Sequence, residues 1–108
     1  MFARILEFVP KMEKKEELIR VAKNEVLPIL KKQPGFVELL PFEPETKNEK
    51  VLTLTLWTEK RDFERYEKET FPKIEELITP YLNTPIVVHN VYKLETRLCE
   101  HFEKALIA

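Results

Sequence analysis

The amino-acid sequence predicts an α+β fold in which one four-stranded antiparallel sheet carries its helices on a single face. Segments with the alternation of strands and segments with helical periodicity follow one another in the order β-α-β-β-α-β. The two middle strands are separated only by the polar run PETKNE at residues 44–49, which is typical of a hairpin loop. The chain has 108 residues, enough for one hydrophobic core and too few for two domains of ordinary size.

The predicted strands cover residues 2–9, 36–42, 50–57 and 85–94. The third strand has two unlike faces. One is aliphatic, with Leu52, Leu54 and Leu56, and the other is mixed, with Val51, Thr53, Thr55 and Trp57. We expect the aliphatic face to carry the helices and the mixed face to belong to a pocket or a subunit contact.

The first helix is predicted over residues 11–27, with a kink at Pro28 that opens a short second piece to residue 32. Gly35, the only glycine, is expected to end this run in the left-handed conformation. Thr58 is a candidate N-cap for the second helix, to residue 69, and Pro72 begins a further helical piece. The tail at residues 97–108 has helical spacing and is expected to be a short docking helix.

Composition excludes several classes of function. The net charge of -1 gives no electrostatic basis for binding nucleic acid or an anionic membrane. The single cysteine, Cys99, permits no disulfide within the chain, and no cluster of histidines and acids has the spacing of a metal site. No apolar run approaches the length of a membrane span, and the N-terminus alternates like a strand instead of resembling a signal peptide. We therefore expect a cytoplasmic protein without a metal.

Two segments carry a resemblance to a known family: LPILKKQPGF at residues 27–36 and LTLTLWTEKRDFERYEKETFPKI at residues 52–74. They resemble the antibiotic biosynthesis monooxygenase domain of the dimeric α/β-barrel superfamily. The resemblance covers residues 1–95 and leaves residues 96–108 as a separate tail. It implies a ferredoxin-like fold, a homodimer whose two sheets pack into a barrel, and a pocket in each subunit between the sheet and the second helix.

Members of this family include oxygenases that act on polyketide quinols or anthrones without a metal or a flavin, and others that degrade haem. Related dimeric barrels are isomerases, small-ligand sensors or proteins without known activity. The haem-degrading branch requires an asparagine in the first strand, a tryptophan late in the second helix and a histidine about ten residues later. Residues 2–9 contain no asparagine, and Tyr66 and Glu76 occupy the other two places. Haem degradation is therefore not expected.

Tyr66 and His89 are the candidate catalytic residues. A tyrosine hydroxyl can stabilise a developing phenolate, and an imidazole is a natural base for a quinol. Trp57 and Phe63 would form walls for an aromatic ring. Each residue also has a structural interpretation: Trp57 as a filler of the barrel end, Tyr66 as a core residue with its hydroxyl at the rim, and His89 as a satisfied structural histidine.

Arg4 and Glu7 point to opposite sides of the first strand, and whichever faces the barrel needs a partner. Arg4 is a candidate for binding an anionic substrate group or for a dimer salt bridge, and Asn90 and Tyr92 are candidates for lining the pocket. The sequence thus predicts a cofactor-independent monooxygenase-like protein that acts on a small aromatic or quinol-type substrate. The alternative is a non-catalytic dimeric barrel that binds a small hydrophobic ligand.

Overall fold

The structure, a computed structural model, describes residues 1–46 and 50–95. Strands β1 to β5 run over Phe2–Phe8, Phe36–Phe42, Val51–Trp57, Val87–Val88 and Tyr92–Lys93. Helices α1 to α4 run over Lys15–Val21, Leu27–Lys31, Lys60–Glu69 and Phe71–Ile78. Short 3-10 turns lie at Met12–Lys14 and Thr79–Tyr81.

The sheet has the order β2-β3-β1-β4, with β5 also paired to β1, and all its pairings are antiparallel. This is the ferredoxin-like arrangement, so the predicted fold class is confirmed. The last strand differs from the prediction because it consists of two short pieces instead of one. At the break, the His89 N–H donates to the Ile5 carbonyl at 2.9 Å, which keeps the chain attached to β1. The predicted tail helix and part of the hairpin loop lie outside the described residues.

A π turn at Ala22–Val26 joins α1 to α2. In this turn the Leu27 N–H donates to the Ala22 carbonyl, five residues earlier, and Pro28 follows at once. Because proline has no N–H, the helix cannot continue its regular ladder at this point. The irregularity predicted at Pro28 therefore takes the form of a wider turn just before it.

Gly35 ends this helical run with a φ of 80°, as the sequence predicts. Its carbonyl accepts a hydrogen bond from the Thr58 N–H at 2.9 Å, which joins the start of β2 to the end of β3. A Cβ at this position would lie 2.7 Å from Cβ of Asp62 in α3, so the close approach also requires glycine. The N-cap prediction for Thr58 is wrong: Glu59 occupies that position, without a side-chain capping bond.

The helices cover the sheet face that carries Trp57, and the prediction that the leucine face carries them is wrong. Val51 and Trp57 belong to the hydrophobic core with residues of α1, α3 and α4. Threonine is tolerated under the helices because its hydroxyl is used: Oγ1 of Thr55 accepts a hydrogen bond from Trp57 Nε1 at 2.9 Å. The polar appearance of this face in the sequence is therefore misleading.

The opposite side, here called the open face, carries Leu52, Leu54 and Leu56. Strand register aligns a row of side chains across it, with Phe42 opposite Leu52, Leu52 opposite Glu7 and Glu7 opposite Val87. The three apolar members of this row are 53% (Phe42), 40% (Leu52) and 50% (Val87) exposed. Further along β3 the exposure decreases, and Leu56 is only 2% exposed. The open face thus presents an apolar row to solvent at one end.

Candidate functional site

A cavity of about 540 Å³ lies between the helix-covered sheet face and the helices. Most of its wall is apolar, formed by Leu6, Phe8, Leu18, Val26, Leu30, Leu39, Val51, Ile74 and Ile78. These side chains come from β1, β2, β3, α1, α2, α4 and the π turn, so the cavity is formed jointly by the sheet and the helices. Its size and composition are those of a small-molecule site.

Among the lining residues, the buried side chains that carry hydrogen-bond donors are Arg4, Thr55 and Tyr66, and we call them the donor cluster. Arg4 and Thr55 are register partners on adjacent strands. The alternation of side chains along β1 and β3 places both on the helix-covered face. The guanidinium carbon of Arg4 lies 5.8 Å from the centre of the Tyr66 ring. An apolar cavity therefore has one region that offers a cation and two hydroxyl groups.

Arg4 is a buried cation with one acidic partner. It is 1% exposed, and its Nε and Nη2 donate to the same oxygen, Oε1 of Glu67, at 3.2 and 2.9 Å. Its guanidinium also lies over the ring of Phe71, 4.3 Å from the ring centre, in cation–π geometry. Glu67 is 39% exposed, so solvent reaches one side of this ion pair. The arrangement holds the guanidinium in a fixed orientation.

Tyr66 keeps its proton over the physiological pH range. Burial raises its pKa to about 12; the Arg4 guanidinium acts in the opposite direction and the Glu67 carboxylate in the same direction. The ring packs between Trp57, with centres 4.8 Å apart, and Phe71, with centres 6.2 Å apart. Tyr66 can therefore act as a positioned hydrogen-bond donor, and not as a base at neutral pH.

Exposed charged residues also border the cavity: Lys15, Lys23, Glu38 and Glu43. Among them, Lys15 and Glu43 form an ion pair at 3.6 Å between α1 and the end of β2. Both partners are about half exposed, so this pair contributes little to stability. It marks the rim where the cavity meets solvent.

Of the candidate residues from the sequence, Arg4 and Tyr66 line the cavity. Trp57 and Phe63, 0% and 3% exposed, belong to the core beside Tyr66 and are not part of the lining. His89, Asn90 and Tyr92 are likewise absent from the lining. Tyr92 pairs with Ala3 on the open face and is 54% exposed. The structure thus brings together two of the seven candidates at the cavity and two more directly behind them.

The structure separates His89 from Tyr66 by the thickness of the sheet. Nε2 of His89 lies 3.1 Å from Oε1 of Glu7 without forming a hydrogen bond, and Lys50 approaches the same carboxylate at 3.6 Å. Glu7 is the register partner of Leu52 and therefore lies on the open face. His89 and Tyr66 of one chain cannot act together on one molecule in this cavity.

Sequence reasoning missed Thr55 and Glu67 as members of the site. The alternation in the sequence placed Thr55 on the mixed face without a role of its own, whereas its hydroxyl accepts the Trp57 N–H next to Arg4. The available signal was the antiparallel pairing of β1 with β3, which places position 55 opposite position 4. For Glu67 the signal was weaker, because it depends on knowing how α3 crosses the sheet.

Within residues 1–46 and 50–95, no three histidine, cysteine, aspartate or glutamate side chains are grouped closely enough to hold a metal ion. In the same part of the chain, no helix has the length and apolar character needed to cross a membrane. The expected cytoplasmic location stays a prediction.

Comparison with solved structures supports the same fold. A variant of SnoaB, a cofactor-independent oxygenase from Streptomyces nogalater, superposes with a TM-score of 0.71 at 15% identity, covering 87% of this chain and 92% of that one. The monooxygenase from the gene ActVA-Orf6 of Streptomyces coelicolor, in complex with nanaomycin D, gives 0.67 at 17% identity and 87% coverage of both chains. A conserved protein from Methanosarcina mazei Go1 gives 0.69 at 18% identity, covering 88% and 94%.

No curated protein sequence shows significant similarity to the chain. The family model described as antibiotic biosynthesis monooxygenase, however, matches residues 1–70, which is more than half of the chain and includes β1 to β3, α3 and the donor cluster. This match confirms the resemblance noted in the sequence. The chain belongs to the antibiotic biosynthesis monooxygenase family.

Proposed function

We propose that the protein binds a small aromatic or quinol-type molecule in its cavity and oxidises it with molecular oxygen, without a cofactor. Family membership supports a monooxygenase-like or small-ligand-binding role. Two structural neighbours are described as a cofactor-independent oxygenase and as a monooxygenase bound to nanaomycin D. The observation that carries the proposal is the apolar cavity with the donor cluster in its wall.

In the proposed reaction, the substrate first loses a proton and becomes an electron-rich anion. The Arg4 cation favours this ionised form, and the Tyr66 hydroxyl donates a hydrogen bond to the charged oxygen. The anion gives one electron to oxygen, and the resulting radicals combine at a ring carbon to form a peroxide. Loss of water from the peroxide leaves a carbonyl group, so a CH₂ carbon and O₂ become C=O and H₂O. Since Tyr66 keeps its own proton, the substrate proton leaves to solvent, and the peroxide takes a proton back from solvent before it loses water.

Oxygen uptake by purified, chelator-treated protein tests this proposal across a panel of quinols and anthrones. We expect uptake above the uncatalysed rate, and a fall of about 10²-fold in Tyr66→Phe because a donor to the developing charge is lost. Tyr81→Phe is the matched control, since Tyr81 does not line the cavity. A loss in His89→Ala with full activity in Tyr66→Phe would move the chemistry to the open face and refute the assignment.

The second candidate function is a non-catalytic barrel that binds a small hydrophobic ligand. The same cavity favours it, because apolar walls and one polar region are sufficient for binding. This candidate predicts that cavity ligands raise the melting temperature while no quinol or anthrone gives oxygen uptake. In that case Tyr66→Phe changes affinity only.

We propose that a second copy of the chain covers the open face. The mixed face, which the sequence suggested for a pocket or a subunit contact, is covered by the helices and lines the cavity. The support is the row of exposed apolar side chains at Phe42, Leu52 and Val87, which would be unusual on a fully solvated sheet. We expect sedimentation to show a dimer at micromolar concentration and Phe42→Glu to convert it to a folded monomer. Met12→Glu is the control, because Met12 is similarly exposed, at 58%, but precedes α1. A monomeric wild-type protein would rule out the dimer.

A further inference from the structure

The buried guanidinium of Arg4 has donors that the protein does not use. Its Nε and Nη2 donate to Glu67, whereas Nη1 makes no hydrogen bond to any described residue. Arg4 is only 1% exposed, and it lines the cavity. Among the described residues, His89 Nε2 is the only fully buried side-chain nitrogen or oxygen without a hydrogen-bond partner, so Nη1 of Arg4 is not an enclosed, unsatisfied donor. Because Arg4 lines the cavity, this unused donor can receive an acceptor from a ligand there.

The two hydroxyl groups of the donor cluster are also available to donate. Thr55 Oγ1 already accepts the Trp57 N–H, which leaves the threonine proton free for another partner. Tyr66 retains its proton because its burial disfavours the phenolate. The acidic side chains that contact Arg4 or line the cavity are either in ion pairs or exposed. Glu67 pairs with Arg4, Glu43 pairs with Lys15, and Glu38 is exposed near the rim. Among the described residues, this region of the cavity therefore offers positive charge and protons, and no buried, unpaired carboxylate lines it.

We infer that the natural ligand carries one ionised oxygen group, a carboxylate or an ionised phenol, on an apolar body, and that this group binds Nη1 of Arg4 and the Thr55 hydroxyl. Glu67 is a positioning residue that holds the Nε and Nη2 edge of the guanidinium, so that Nη1 stays available. The apolar walls accept the body of the ligand and disfavour a second charge, because desolvating it would be uncompensated. This inference rests on the proposed use of the cavity and adds the charge of the ligand to it.

Calorimetric titration with matched naphthalene compounds tests the inference. The probes are 2-naphthoate, its neutral methyl ester and 2-naphthol. We expect naphthoate to bind about ten-fold or more tighter than the ester, which has the same ring without the charge. In Arg4→Met, which keeps the side-chain volume, this preference should fall about 10- to 100-fold while ester affinity is retained. Arg20→Met removes an exposed arginine from α1 outside the lining and controls for total charge.

The naphthol distinguishes the two sources of the anion. If the ligand is an ionised phenol, mixing with the protein below the pKa of free naphthol should give the naphtholate absorbance spectrum, and Arg4→Met should abolish it. If naphthoate binds with its charge preference and naphthol does not ionise, the ligand is a carboxylate. If the wild-type protein binds naphthoate and the ester with equal affinity and does not ionise naphthol, the inference is overturned. This outcome can be measured on the wild-type protein alone.

The inference and the proposed function can fail separately. Anion preference without oxygen uptake on any quinol would support the anion subsite and refute the oxygenase. If the protein takes up oxygen with a neutral quinol, and folded Arg4→Met does so at the same rate, the oxygenase is supported and the anion subsite is overturned. Should Arg4→Met not fold, Arg4→Lys retains the charge without the forked geometry, and loss of at least part of the preference is expected.

Discussion

The buried phenol of Tyr66 should make the protein unusually sensitive to alkaline pH, and Tyr66→Phe should remove that sensitivity. The ring is 3% exposed and packs against Trp57 and Phe71, contacts that phenylalanine would keep. The substitution therefore removes the ionisable hydroxyl and leaves the core nearly unchanged. Near neutral pH we expect a change of less than about 1 kcal/mol in the free energy of unfolding.

The size of the alkaline effect follows from the pKa of Tyr66, which burial raises from 10.0 to about 12. Below pH 10 the phenol is neutral in both the folded and the unfolded chain, so it has no pH-dependent effect. Between pH 10 and about 12 the unfolded chain has released this proton and the folded chain has not. The free energy of unfolding then falls by about 1.4 kcal/mol for each pH unit, or ~2.7 kcal/mol in all.

Urea unfolding of both proteins from pH 8 to pH 12, followed by circular dichroism at one protein concentration, measures this difference. Other groups titrate in the same range, but they are common to both proteins and cancel in the comparison. Wild-type stability should fall ~2–3 kcal/mol further than that of Tyr66→Phe. Tyrosine absorbance should show one late-titrating phenol in the wild type that the variant lacks. Parallel loss of stability in both proteins would refute the burial argument.

Two further substitutions test local features of the fold. Gly35→Ala places a Cβ at a φ of 80° and against Asp62. It should lower the free energy of unfolding, measured in urea, by about 2 kcal/mol or more. A loss under about 0.5 kcal/mol would contradict the close approach. Thr55→Val leaves the N–H of the fully buried Trp57 without an acceptor and should cost about 1–3 kcal/mol, whereas Thr55→Ser should retain most of the stability. Equal stabilities for the two Thr55 variants would show that the hydroxyl is not needed.

The sequence predicted the element order and the bounds of the first three strands well because these depend on local signals. Alternation located β1 to β3, and Pro28 and Gly35 marked the irregular points of the first helical run through their backbone limits. The break between β4 and β5 was not visible, since residues 85–94 contain no glycine or internal proline that would signal it. Family-typical segments then identified the family.

The orientation of the sheet could not be predicted from residue polarity. Leu52, Leu54 and Leu56 appear more hydrophobic than Val51, Thr53 and Thr55, yet the helices cover the threonine side. The reason is that a cavity and an internal hydrogen bond accommodate the hydroxyls, which polarity alone does not reveal. The structure also separates the two candidate catalytic residues, because Tyr66 lines the cavity on the helix-covered side and His89 lies beside Glu7 on the open face.

The alternation of side chains along β1 determines which charged residues lie on the same face of the sheet and can interact. Arg4 and Glu7 are three positions apart, so they lie on opposite faces, and each has partners on its own side: Glu67 for Arg4, and His89 with Lys50 for Glu7. Moving His89 to the cavity would require a one-residue shift of the last strand, which would exchange its two faces. In the proposed dimer the Glu7 carboxylate would be enclosed near the interface, where an unpaired charge is unfavourable. We therefore propose that His89 and Lys50 accommodate that carboxylate in the dimer, while Arg4 and Tyr66 serve the ligand in the cavity.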